Sequence, residues 1–108
     1  MNESEFNRRV DDLLVEIEEA LDACGADIDY ETVGGILTLT FDDDSKVIVN
    51  RQTPMRQVWV AARSGGFHFN YDTARDAWIS DRDGESLFDA MGRYCSQQAG
   101  RELVLRSV

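Results

Sequence analysis

The chain has 108 residues, 43% of them hydrophobic, and a formal net charge of -10. That is enough apolar sequence for one domain with a core, and no apolar run nears the ~20 residues that cross a bilayer. So acidic a molecule repels nucleic acid and anionic lipid and suits cations or basic protein surfaces.

The polar, acidic start MNESEFNRRV reads as neither a secretory signal nor an Arg-rich transit peptide, which predicts a cytoplasmic protein. Residues 1–31 hold eleven acids and two arginines, so almost all of the charge imbalance sits at one end. Residues 4–24 predict one amphipathic helix. Phe6, Val10, Leu13, Leu14, Ile17, Leu21 and Cys24 recur at steps of three and four and make a single stripe. Gly25 stops it. Asp11, Asp12, Glu16, Glu18, Glu19 and Asp22 fall on the other side.

Strand alternation then takes over. In DIDYETV, Ile28, Tyr30 and Thr32 face one way, and Asp27, Asp29 and Glu31 the other. Further strands are predicted at 36–41, 47–51, 57–63, 67–71 and 77–80, separated by polar or Gly-rich turns. A second helix is predicted from the DGES stretch, with Asp83 as N-cap and Gly100 as its stop. Leu87, Phe88, Met91, Tyr94 and Cys95 form its apolar side. Short turns imply antiparallel pairing, and two terminal helices can cover only one sheet face. The expected fold is an α+β two-layer sandwich: helix, six-stranded antiparallel sheet, helix, with the other sheet face open to solvent.

The acids are badly placed for the first helix alone. Glu18 and Asp22 are like charges at i,i+4, a spacing that costs roughly 0.2–0.5 kcal/mol. They also sit toward the negative end of the helix dipole. The following strand lines up Asp27, Asp29 and Glu31 at roughly 7 Å intervals. The expectation is that the two sets merge into one carboxylate ridge. Oxygen ligands without His or Cys suit hard cations, held weakly. The EF-hand pattern fails, since Thr32 and Thr38 stand where it needs Gly and Glu.

Enzyme chemistry finds little support. His68 is the only histidine, and it alternates with Phe67 and Phe69 onto the open sheet face. A di-metal oxidase would need Glu-x-x-His pairs, which are missing here. Cys24 and Cys95 have no metal spacing and read as free thiols. If Val58, Val60 and Ala62 point inward, Trp59 points out, together with Thr38, Thr40, His68 and Asn70. The pattern leaves open whether Asn50 or Arg51 faces outward. Trp78 fits either face, with the core preferred. A large aromatic among polar neighbours is a typical anchor for a protein partner.

The stretch NRQTPMRQVWVAARSGGFHF (50–69) resembles the signature of the bacterial frataxins, through Asn50, Arg51, Gln52, Pro54, Gln57, Trp59, Ala61, Gly65, Gly66, His68 and Phe69. MNESEF, IEEALD, GGILTLTF, DRDGESL and QQAG also resemble that family. The resemblance implies a non-enzymatic protein of iron–sulfur cluster assembly, with the same helix–sheet–helix fold. It implies ferrous or ferric iron, or other divalent cations, on Glu18, Glu19, Asp22, Asp27, Asp29, Glu31 and Asp11. It implies a cysteine desulfurase and a scaffold protein as partners, with Asn50, Arg51, Gln52, Gln57, Trp59 and His68 as the contact surface. A monomer is expected; the alternatives are ferroxidase or iron-storage activity through iron-dependent oligomers, or an acidic protein-binding module that works without metal. After Asp22, the ACGA turn carries no acid where relatives have several.

Overall fold

The structure, a computed structural model, describes residues 1–107. Helix α1 spans Glu3–Ala23 and helix α2 Leu87–Ala99. Between them run β1 (Asp29–Val33), β2 (Ile36–Thr40), β3 (Lys46–Gln52), β4 (Gln57–Ala62), β5 (Gly65–Asp72) and β6 (Ala77–Ser80). Each strand pairs antiparallel with the next, in sequential order, so β1 and β6 are the sheet edges. This is the predicted α+β sandwich.

Local chemistry explains the boundaries. The Asn2 side chain accepts the Glu5 N–H at 2.8 Å and caps α1, and acids occupy its first turn, where the dipole favours them. No basic residue balances its last turn. Gly34 and Gly35 have φ of +61° and +77°, so the β1–β2 hairpin turns through two left-handed residues, a geometry matched to strand twist.

The core joins both helices to one sheet face. Phe6, Val10, Leu13, Leu14, Ile17 and Leu21 of α1 meet Leu37, Leu39, Val47, Val49, Val58, Val60 and Phe69. Leu87, Met91, Tyr94 and Cys95 of α2 close it. Trp78 is buried and meets Phe6 edge to face, so the preferred assignment holds. Leu103 and Leu105 of the tail are buried as well. Both cysteines are free, and burial pushes the Cys95 thiol up to about 12.

The second helix starts later than the sequence suggests. Asp83 does accept a backbone N–H, but from Glu85, within its own turn. Gly84 is left-handed at φ +77°, and Ser86 bridges to Ile79 of β6, which keeps this segment extended. Ser86 is the true N-cap, its hydroxyl accepting the Asp89 N–H at 3.2 Å.

Candidate functional site

α1 crosses the sheet obliquely, and one of its stripes reads this crossing residue by residue. At its N-terminal half, Asn7 and Asp11 meet Arg51 of β3. The Arg51 guanidinium donates to Asn7 Oδ1 at 3.1 Å and to Asp11 Oδ1 at 2.6 Å. Two turns on, the helix reaches the edge strand β1. The Thr32 hydroxyl donates to Glu18 Oε2 at 2.7 Å, and the Tyr30 hydroxyl to Asp22 Oδ1 at 2.9 Å. Asp22 as acceptor holds the Tyr30 phenol above its ordinary value, because the proton is shared toward a carboxylate.

These bonds fix which face of β1 looks at the helix. Tyr30 and Thr32 face inward, so Asp29 and Glu31 face the opposite side of the sheet, opposite Thr40 and Thr38. The expected merger into a single row does not occur. The acids instead straddle the edge strand, Glu18 and Asp22 on one side of it and Asp29 and Glu31 on the other. Glu19 lies about 100° further round α1 from Glu18 and is exposed. Asp27 precedes the strand and lines a separate cleft with Phe41, Asp43, Arg63 and Gln98. In that cleft Asp43 is held down to about 2 by hydrogen bonds from Ser45 and by the Arg63 guanidinium. Among the described residues no three Asp, Glu, His or Cys side chains converge into a ready-made metal site. The ridge is a field of separate carboxylates with hard oxygen donors, not a cage.

Arg51 corrects another reading. It points under the sheet toward α1, with its side chain 20% exposed, and not onto the open face. An arginine on the inner side of a core strand is tolerated here because Asn7 and Asp11 satisfy its donors. Asp11 is correspondingly engaged and set apart from the ridge's C-terminal acids. Arg51→Gln is expected to lower stability by about 1–2 kcal/mol, read as a loss of roughly 4–10 °C in melting temperature. Such a variant would still present an unaltered outer sheet face.

That face is built by β3, β4 and β5. Asn50, Trp59 and His68 stand opposite one another in register. Trp59 is half-buried and stacks on His68 with ring centroids 4.3 Å apart and planes 15° from parallel. Its indole N–H donates to Gln57 Oε1 at 2.9 Å, and Gln57 in turn donates to Asn70 at 3.3 Å. His68 Nδ1 lies 3.8 Å from Asp81. The result is a flat aromatic plate held in place by amides, as the alternation of β4 predicted.

One residue with a structural role escaped the sequence reading. Gln98, at the end of α2, is 6% exposed. Its position three and four residues after Cys95 and Tyr94 put it on the apolar stripe, and that was the available signal.

A family model described as a frataxin-like domain matches residues 1–101. Two curated relatives, each called iron-sulfur cluster assembly protein CyaY, come from Vibrio vulnificus strains YJ016 and CMCP6. Each is 47% identical over 103 residues, spanning 95% of this chain and 97% of the relative. The solved frataxin of Psychromonas ingrahamii superposes with a TM-score of 0.88 at 38% identity, over 96% of this chain and 97% of that one. Yeast frataxin superposes at 0.60 and 25% identity, over 90% and 79%. With the helix–sheet–helix order, the outward Trp59 plate and a family match across almost all its length, the chain belongs to the frataxin-like family.

Proposed function

We propose that this protein serves iron–sulfur cluster assembly as a non-enzymatic, iron-binding adaptor. The observation that carries the reading is the carboxylate field around β1, set on a helix end that no basic residue balances. The curated relatives' name, iron-sulfur cluster assembly protein, supports the pathway. Glu18, Glu19, Asp22, Asp29 and Glu31 offer hard oxygen donors to ferrous or ferric iron as cargo. With no converged trio, binding is weak, draws in flexible side chains and water, and tolerates other divalent cations. Asp11, tied to Arg51, and Asp27, in its own cleft, are secondary.

The same field attracts a basic surface, which we assign to the cysteine desulfurase. Iron and that partner then compete for the ridge. The outer plate of Asn50, Gln52, Gln57, Trp59 and His68 is assigned to a second component, the scaffold protein. The plate and the ridge's helix acids lie on opposite faces of the sheet, so both partners can be held at once.

Capture on immobilised desulfurase and, separately, on immobilised scaffold tests both assignments. Desulfurase capture should fall steeply between low and high salt and respond to added ferrous iron under anaerobic conditions. Trp59→Ala should leave it unchanged while weakening scaffold capture by about tenfold or more, the usual range for a buried aromatic anchor. Desulfurase capture indifferent to both salt and iron would remove the ridge from the mechanism.

A further inference from the structure

A cavity of about 470 Å³ opens on the opposite flank of α1 from the ridge, between that helix, the β5–β6 turn and the first turn of α2. That volume is in the range of small-ligand sites. Its floor is apolar, made by Leu13, Trp78 and Phe88.

The charges lining it are of both signs. The basic residue is Arg9, whose guanidinium carbon sits 4.3 Å from the centroid of the Tyr71 ring. Arg9 makes no ion pair among the described residues, and its Nε is buried with no acceptor. A buried N–H left unpaired costs about 1–3 kcal/mol, so a ligand that draws the guanidinium toward the cavity relieves a standing cost. The start of α2 also lines the cavity, with Ser86, Leu87 and Phe88. Leading N–H groups of a helix lack intrahelical acceptors and favour negative charge. The acidic residues are Asp12, Glu16 and Asp76. Glu16 accepts the Ser107 hydroxyl at 3.0 Å, and Asp76 accepts the Tyr71 hydroxyl. Asp12 has no hydrogen-bond or ion-pair partner among the described residues.

A simple anion would meet three carboxylates, and a simple cation would leave Arg9 unanswered. A ligand that answers both signs carries an ammonium and a carboxylate on an apolar body. We propose that this cavity binds a free α-amino acid with a large apolar side chain. The carboxylate pairs with Arg9 and the start of α2, the ammonium with Asp12, and the side chain lies on Trp78 and Phe88. None of the ridge or plate residues takes part.

The test is a nuclear magnetic resonance titration with L-phenylalanine, following the Trp78 indole N–H and the amides of Tyr71 and Phe88. Phenethylamine lacks the carboxylate and 3-phenylpropanoate lacks the ammonium. L-Phenylalanine should give saturable shifts at these residues, with each analogue bound tenfold or more weakly. Arg9→Gln should erase the preference over phenethylamine, and Asp12→Asn the preference over 3-phenylpropanoate. Asp12 is exposed, so its variant remains decisive if loss of Arg9 unfolds the protein. Absence of saturable shifts, or equal binding of all three compounds, overturns the proposal.

Discussion

Replacing Glu18, Asp22 and Asp29 by their amides is expected to weaken ferrous-iron binding at least tenfold and to raise the melting temperature by about 4–5 °C at low salt. The two effects share one cause. Glu18 and Asp22 repel each other at i,i+4, and Asp22 stands in the last turn of α1, where no basic residue offsets the dipole. Relief of both terms amounts to about 1 kcal/mol. The amides matter for the design. Gln and Asn keep a carbonyl oxygen to accept from Thr32 and Tyr30, so the links from α1 to β1 survive and only charge is lost. Wild type should gain a similar increment from added salt or a divalent cation, through screening and binding. Anaerobic calorimetric titration of ferrous iron reads the first effect and thermal unfolding the second. Unchanged affinity would remove the ridge as the iron site. A lower melting temperature would show that the charged forms of these bonds outweigh the repulsion.

The second large effect lies in a residue remote from the ridge. Gln98→Leu is expected to destabilise the fold by about 2–4 kcal/mol, a fall of roughly 10–15 °C. Gln98 Oε1 accepts the Arg63 N–H at 3.0 Å, and its Nε2 donates to Ser45 Oγ at 2.9 Å and to the Lys46 carbonyl at 3.2 Å. One amide thus ties the end of α2 to the β2–β3 and β4–β5 turns. Leucine matches its size but strands a buried N–H and a buried carbonyl. Gln98→Glu sharpens the test. Its carboxylate would face the Lys46 carbonyl without a donor, so the variant should recover part of its stability as pH falls and the acid protonates. A Gln98→Leu melting curve matching wild type would mean that water replaces the amide fully.

Much of the architecture was legible because period and burial agree. Leu37, Leu39, Val58 and Val60 alternate cleanly, so the six strands, and Trp59 on their outer face, follow from the pattern. Trp78 needed the fold, because β6 is too short for alternation to decide. Arg51 misled for a different reason. Its residue type signals solvent, and the partners that permit an inward position, Asn7 and Asp11, lie forty and more positions away in sequence. The ridge was visible as composition but not as geometry. Nothing in the order of Tyr30 and Thr32 reveals that their hydroxyls would reach back to Asp22 and Glu18. Those two contacts divide the acids into two banks. Asp83 fits a cap by residue type, and only the Ile79–Ser86 bridge and left-handed Gly84 move the cap to Ser86.

The edge strand β1 pairs with β2 alone, and its other side is a row of backbone groups ready to accept a foreign strand. The two banks of carboxylates flank that row. Any approaching copy of the same edge meets its own charge from above and below, so the acids oppose edge-to-edge pairing of two copies. A metal ion that neutralises them also lowers this barrier. Iron held there, as proposed above, would therefore be the agent that makes the open edge adhesive.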